Sequence, residues 1–442
     1  LIMEKPIAIL TSLRILKNNS FEGGGEKVEY NLVKHLLDKD NVFILPKLNS
    51  FLDGNNSYSS LSKISDKIIG FEYLEEDLDP VERLRKFVEK LKGNRTILLD
   101  INYGPSYRFY RMFKFSELLM EPSLKYGEVM YISYKADLRS SVLLQGIASH
   151  DYFFGVPLNV LRYLKNRLRG FPIDVFINHK NKIVYTLYKG FREKFIVRKL
   201  KNSPNVVRIY GMSPGQLNSL GVLNSGKGKV LYPAAAIEGE LLSFREKRTD
   251  KDDYMVFFAR LLPLKGTLEL PFILSKVKEI VKEAKLFIVG KFPEDIRGKK
   301  NESFQDYFFN LVEEMGLSDH IVYKGYLTGN ELYDVVSKAK CVVYPSHEDT
   351  FSLSILESIT VGTPVVSYDI PGPKSVFNGL PAVKFVREYD IDAMSKEVAN
   401  LFKAGWEDYR KIVYNDKVES FIRDHTGWRN VSERLYEDLM KV

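Results

Sequence analysis

Short apolar runs rich in β-branched and aromatic residues punctuate the second half of the chain: YMVFFA (254–259), KLFIVG (285–290), HIVYKG (320–325), CVVYP (341–345) and PVVSY (364–368). Each is too short for a helix and nearly free of polar interruption, the mark of a strand buried on both faces. Between them apolar residues recur at helical spacing over 268–283, 304–315, 329–339 and 352–361. Strands and helices that alternate in this way predict a parallel sheet covered on both sides, the doubly wound α/β arrangement. In such a sheet ligands bind beyond the carboxyl ends of the strands.

The first half opens similarly. IAIL (7–10) predicts a strand, a loop ending in Gly23, Gly24 and Gly25 follows, and EKVEYNLVKHLL places Val28, Leu32, Val33, Leu36 and Leu37 on one helix face. VFIL (42–45), TILLD (96–100), VMYIS (129–133), KIVYT (182–186) and KVLYP (229–233) extend the predicted sheet. The charged stretch EGELLSFREKRTDKDD has no sustained apolar period and marks a boundary. The expected division is 1–236 as a first domain, 237–405 as a second, and 406–442 as helices that cross back to the first, with Val431, Leu435 and Leu439 on one face.

A chain of 442 residues exceeds what one hydrophobic core usually serves, which agrees with two domains. No run of about 18 uninterrupted apolar residues is present, so no membrane-spanning helix is expected. LIMEKPIAIL lacks a secretory pattern and Cys341 is the only cysteine, so the expected location is a reducing cytoplasm. The net charge of +8 is uneven: residues 107–203 hold 18 Lys and Arg against 7 Asp and Glu, an excess of +11 that leaves the remainder at −3. A basic region of this kind reads either as a solvated surface or as a surface for an anionic partner such as lipid head groups, nucleic acid or a phosphorylated substrate. Within it, VPLNVLRYLKNRLRG reads as a core helix or as an amphipathic helix on a membrane surface.

Candidate chemistry gathers after the strands of the second half. Arg260 lies just past the first of them, and Lys265 and Gly266 begin the next turn. These are either surface charges or a fixed pair of cations for a diphosphate. In HEDTFSLSILES, helix-start residues cluster at Asp349, Thr350 and Ser352: Asp349 reads as a plain helix cap or as a residue pointing into a ligand cleft, and the amides of Thr350, Phe351 and Ser352 are expected to face outward as an anion site. Glu357, flanked by Ser354 and Ser358, reads as a solvent-facing residue or as an acceptor for a ribose diol. Asp-x-Asp pairs occur at Asp77 and Asp79, Asp250 and Asp252, and Asp390 and Asp392, the last as a helix cap, and no metal ligand is expected among them. Six scattered histidines and one cysteine give no zinc spacing.

In order and separation, ARLLPLKG, GYLTGNEL and YPSHEDTFSLSILESITVGTPVV resemble the donor half of glycosyltransferase family 4, over about 254–373. GGGEKVEYNLVKHLL is similar to that family's glycine loop and first helix, and 107–202 matches little of it. The resemblance implies a GT-B architecture of two Rossmann-like domains facing a cleft, and a retaining, metal-independent hexosyltransferase that uses a UDP- or GDP-type sugar donor and no cofactor. It implies that Arg260 and Lys265 hold the diphosphate, that Asp349 bonds the sugar ring, and that Glu357 accepts from the ribose. Tyr326 and Leu327 would meet the base, Gly24 and Gly25 would close on the phosphates, and Gly290, Glu348, Thr350, Phe351 and Ser352 would complete the donor site. Asp349 stands where the family has Glu, Thr350 where it has Gly, and Ser133 where it places a histidine. The acceptor is an unidentified hydroxyl, with peripheral membrane contact through 107–203 favoured over nucleic acid. A noncatalytic nucleotide-sugar-binding subunit is the alternative that Ser133 leaves open.

Overall fold

The computed structural model describes residues 6–17, 24–46, 50, 58–79, 82–83, 86–87, 97–102, 140–144, 197–198, 200–202, 206–246, 251–294, 296 and 302–441. Ser133, VMYIS, KIVYT and VPLNVLRYLKNRLRG lie outside these residues, as does nearly all of the basic region. The described residues form two compact units. The first holds those up to 144, those of Phe191–Ala235 and those of Trp428–Val442; the second holds those of Ala236–Gly427.

In the first unit, β1 (Ile7–Thr11), β2 (Val42–Pro46), β3 (Ile97–Asn102), β4 (Ser140–Leu144), β5 (Val206–Gly211) and β6 (Gly228–Val230) form a parallel sheet in the order β2-β1-β3-β4-β5-β6. Two of these strands, β4 and β5, were not among the sequence expectations. Arg208 interrupts the apolar run of β5, and β4 begins with two serines, so neither shows an uninterrupted apolar signature. Gly24 and Gly25 are not loop residues but the first two residues of the Gly24–Leu36 helix, whose Val28, Leu32, Val33 and Leu36 are buried. The last helix, Trp428–Met440, packs on this one through buried Val431, Leu435 and Leu439. Tyr436 donates from its hydroxyl to Asn41 Oδ1 at 2.8 Å, and Asp438 accepts from Tyr210 at 2.6 Å. The preceding helices, Trp406–Val413 and Asp416–Asp424, belong to the second unit.

The second sheet holds β7 (Asp252–Phe258), β8 (Lys285–Val289), β9 (Ile321–Tyr323), β10 (Ala339–Tyr344), β11 (Val365–Tyr368) and β12 (Val383–Val386), all parallel, in the order β12-β11-β10-β7-β8-β9. The chain runs outward from β7 to β9, then returns to place β10 on the other flank of β7 and runs outward again. The segments that follow β7 and β10 therefore part at a topological switch point, where an open α/β sheet offers a crevice. Met255, Val256 and Phe257 of β7 and Cys341, Val342 and Val343 of β10 are wholly buried beneath it. Burial pushes the Cys341 thiol well above its ordinary range.

Helices Leu270–Ile280 and Ile391–Lys403 cover one core region together, through Ile273, Leu274, Val277, Met394 and Val398. Burying side chains of this size is worth about 1.5–3 kcal/mol each. Asp390 caps the second of these helices, accepting from Ala393 N at 2.9 Å, as its sequence position indicated. Over its described residues, 238–246, the charged stretch is less open than its sequence reads. Its Arg245 is buried and donates to Ile359 O at 2.8 Å and, through Nε, to Glu419 at 3.0 Å. Among the described residues no helix is long and apolar enough to cross a membrane.

Candidate functional site at a sheet switch point

Beyond β7 the chain makes a short 3-10 turn, Pro263–Lys265, followed by Gly266 in a left-handed conformation (φ 77°). A Cβ on Gly266 would lie 2.1 Å from Pro345 O, so only glycine lets this turn press against the segment that leaves β10. The two segments are joined directly, with His347 N donating to Leu264 O at 2.9 Å. From the other side, a Cβ on Gly372 would lie 2.3 Å from Asp349 O. The Pro345–Ser352 segment thus runs between two backbones that approach as closely as glycine permits.

This packing brings Lys265 to Asp349. The ammonium donates to Glu348 O at 2.6 Å and to Asp349 Oδ2 at 3.1 Å, and both side chains are largely buried. Tyr344 also donates to Asp349 Oδ2. Oδ1 accepts from Thr350 N at 2.9 Å, with Phe351 N at 3.5 Å. Burial opposes the charge on each partner, but their mutual attraction prevails: Lys265 stays protonated beyond the ordinary lysine range, and Asp349 ionises below the ordinary carboxylate range. Burial, and then the Asp349 charge, push the Tyr344 phenol up to about 12. The amides of Thr350 and Phe351 were expected to face outward, yet here they turn toward Asp349. Asp349 folds back onto the amides that follow it, close to the capping alternative, although the residue that caps the helix is Ser352.

Ser352 caps the Leu353–Thr360 helix, accepting from Ile355 N at 3.2 Å, and has φ 83°, a costly conformation for a residue with a side chain. Ser354 Oγ donates to Phe258 O at 3.3 Å, which fastens the helix to the end of β7. One turn further, Glu357 is 7% exposed and accepts from Tyr333 OH at 3.1 Å. The solvent-facing reading of Glu357 is therefore corrected: on a helix covered by Tyr333, spacing alone does not decide burial.

Arg260 is exposed at the end of β7. Beside it Gly290 ends β8 with φ 149°, its N–H donating to Gly325 O at 2.8 Å, and a Cβ there would lie 2.0 Å from Ala259 O. Tyr326 and Leu327 follow β9, with Tyr326 57% exposed. Of the residues singled out in sequence, Lys265, Glu348, Asp349, Thr350, Phe351 and Ser352 form one connected cluster. Glu357 lies on the helix that the cluster begins, Arg260 and Gly290 lie on the neighbouring rim, and Gly24 and Gly25 belong to the first unit. Sequence reasoning missed His347, Glu269 and Glu388. His347 Nε2 lies 2.6 Å from Glu269 Oε1 and Nδ1 lies 2.9 Å from Glu388 Oε1, all three in or near the core. The three positions are too far apart along the chain for any spacing to link them. Among the described residues no three His, Cys, Asp or Glu side chains converge as metal ligands.

Residues 240–418 match the family described as Glycosyl transferases group 1. The second unit is thus similar to the group 1 glycosyltransferases over most of its length. An uncharacterized glycosyltransferase of Methanocaldococcus jannaschii is 26% identical over 196 residues, covering 44% of this chain and 47% of that one. A poly(glycerol-phosphate) alpha-glucosyltransferase of Bacillus subtilis is 28% identical over 34% of this chain and 20% of its own. The chain thus spans less than half the length of these curated relatives. Among solved structures, the Anabaena protein HepE in complex with UDP and glucose aligns over 99% of this chain and 100% of its own, at 11% identity and a TM-score of 0.61. Likeness over nearly the full length gives the chain the GT-B fold. The family match covers Arg260, Lys265, Gly290, Tyr326, Asp349 and Glu357 together.

Proposed function

We propose that the chain transfers a hexose from a nucleoside diphosphate sugar, of the UDP or GDP type, to an acceptor hydroxyl, with retention at the anomeric carbon. The observation that carries this reading is the buried Lys265–Asp349 pair at the β7/β10 switch point of a glycosyltransferase unit. An ammonium has three N–H donors, and Lys265 commits two of them, to Glu348 O and Asp349, which leaves the third for a phosphate oxygen. Arg260, exposed on the adjoining strand end, is suited to grip the same diphosphate with two parallel hydrogen bonds.

In this reading the bond between the sugar's anomeric carbon and the β-phosphate oxygen breaks, and the two cations stabilise the negative charge that builds on the leaving group. The acceptor oxygen bonds to the anomeric carbon on the same face and passes its proton to the departing phosphate. The protein contributes position and charge rather than a nucleophile. Glu357 accepts from the ribose hydroxyls, Asp349 with its neighbours Glu348 and Thr350–Ser352 meets the sugar and phosphates, and Tyr326 and Leu327 meet the base. The cations take the place of a metal. In keeping with this, Asp252 begins β7 at the end away from the site, Asp390 caps a helix, and Asp77 and Asp79 belong to the first unit. UDP is the favoured nucleotide, since HepE was solved with UDP and glucose. The acceptor is assigned as a phosphate-bearing, membrane-proximal hydroxyl compound. The relative named for poly(glycerol-phosphate) and the +11 excess of residues 107–203 both support an anionic acceptor.

Calorimetry with UDP, GDP and ADP, followed by sugar release from the matching donor, tests the reading. One nucleotide should bind, and its hexose donor should be hydrolysed slowly in the absence of acceptor. Failure of all three to bind folded protein ends the donor-site assignment, and tight binding with no sugar release under any condition assigns a noncatalytic subunit instead.

A further inference from the structure

His347 is the residue immediately before Glu348 and Asp349, and nothing above gives it a part in the reaction. It is 4% exposed in its side chain, yet polar at both ends. Three elements meet on it. Glu269, in the turn before the Leu270–Ile280 helix, approaches Nε2 at 2.6 Å; Glu388, in the segment after β12, approaches Nδ1 at 2.9 Å; and the ring stacks on Tyr389 at 4.3 Å. Tyr389 has φ 67°, so the segment after β12 holds a strained backbone to present this face. Tyr368, at the end of β11, completes the surroundings at 5.4 Å between rings. Through its main chain His347 also bonds the turn that bears Lys265.

We propose that His347 is a positioning residue for the donor site: bonded at both ring nitrogens to carboxylates from two separate segments, it holds the 348–352 loop in register with the Lys265 turn. The inference rests on the donor-site reading given above. A carboxylate only accepts, so two such bonds require protons on both nitrogens, and the ring is an imidazolium. Burial opposes that charge, but Glu269 first and Glu388 after it outweigh burial and push the imidazole up to about 9. The second oxygen of Glu269, Oε2, is buried and takes no hydrogen bond from the described residues, so the imidazolium is the main compensation for that carboxylate. Deprotonating the ring removes one of its two bonds and leaves a buried carboxylate facing a neutral nitrogen, which loosens the loop that carries Glu348 and Asp349. The group's folded value lies above its ordinary 6.5, so its contribution is complete below that pH and is lost as the pH rises through about 9.

Donor hydrolysis by the full chain, followed as kcat/KM from pH 6.5 to 10, tests the proposal with wild type, His347→Gln and Glu388→Gln. Wild type should lose kcat/KM along an alkaline limb centred near pH 9. In Glu388→Gln the ring keeps Glu269 but loses one carboxylate, and the limb should move down by about one pH unit. Lowering the pH should then restore most of the wild-type rate, a recovery that plain structural damage would not show. His347→Gln should lose about tenfold in kcat/KM at pH 7 and show no limb of this origin. Should His347→Gln fail to fold, wild type and Glu388→Gln still decide the matter. A limb belonging to the base of the donor stays at the same pH in all three proteins, and that result overturns the proposal, as does a His347→Gln variant with wild-type kcat/KM. Failure of the wild-type chain to bind UDP, GDP or ADP is a separate result, which removes the donor site itself and this role with it.

Discussion

Each unit carries a cluster of opposite charges on an aspartate, and the two clusters differ in what surrounds them. In the first unit Asp438 accepts from Tyr210 and Lys229, with Arg208 Nε at 3.7 Å. Lys229 is 48% exposed in its side chain, and the group fastens the last helix to the edge of the sheet. In the second unit the lysine is only 18% exposed in its side chain, and its partner Asp349 lies at the switch point, pinned between glycines that allow backbone contact on both sides. An ion pair by itself therefore marks nothing. Asp438 is itself buried, so what makes the second cluster a candidate site is a lysine that is also largely buried and a place beyond the carboxyl ends of the strands.

Substitutions that separate the two clusters should do so in a graded way. Lys265→Ala has the largest effect: donor turnover should fall at least about a hundredfold. Because Asp349 is left buried without its cation, unfolding free energy should fall by about 3 kcal/mol or more, read as a lower denaturation midpoint. Arg260→Ala should cost turnover about as much while leaving stability within about 0.5 kcal/mol, since the side chain is exposed. Retention of near-normal transfer by both variants refutes their assignment. Glu357→Gln should raise the donor KM about tenfold with little change in kcat, the loss expected for one charge-assisted hydrogen bond to the ribose.

Asp438→Asn provides the contrasting case, with about 1 kcal/mol lost in stability and donor affinity unchanged in calorimetry. Its effect should shrink in 0.5 M salt, about the concentration at which exposed pairs are strongly screened, whereas the buried Lys265–Asp349 pair should keep its contribution. On the acid side the two clusters act in the same direction. Asp349 and Asp438 both ionise below the ordinary carboxylate value of 3.8, so their contributions are present above that pH and are lost as it falls through the lowered values. Acid titration of wild type against Asp438→Asn, followed by circular dichroism, should show a shallower loss in the variant.

The second sheet was legible because its central strands are unbroken apolar runs. β12 was passed over because Lys384 divides a strand of four residues. The first sheet was less legible: Arg208 lies within β5, and β4 begins with two serines. At the candidate site the sequence pointed to Lys265, Asp349 and Glu357 through their relation to strand ends and to a family resemblance. It did not show that Glu357 is covered by Tyr333, or that Lys265 meets Asp349 rather than solvent. Those facts depend on contacts between residues 24 and 84 positions apart. The triad of His347, Glu269 and Glu388 was invisible for the same reason, spanning 78 and 41 positions with no repeat or motif to join them.

Cys341 lies wholly buried in the middle of β10, three residues before Tyr344, and it is the only cysteine in the chain. Any thiol chemistry of this chain must therefore originate at that single sulfur, and reagents reach it only when the strand beneath the candidate site comes apart. The rate at which a disulfide reagent labels native protein thus serves as a built-in clock for opening of the second unit, with no probe added and no background to subtract. Bound nucleotide should slow that clock.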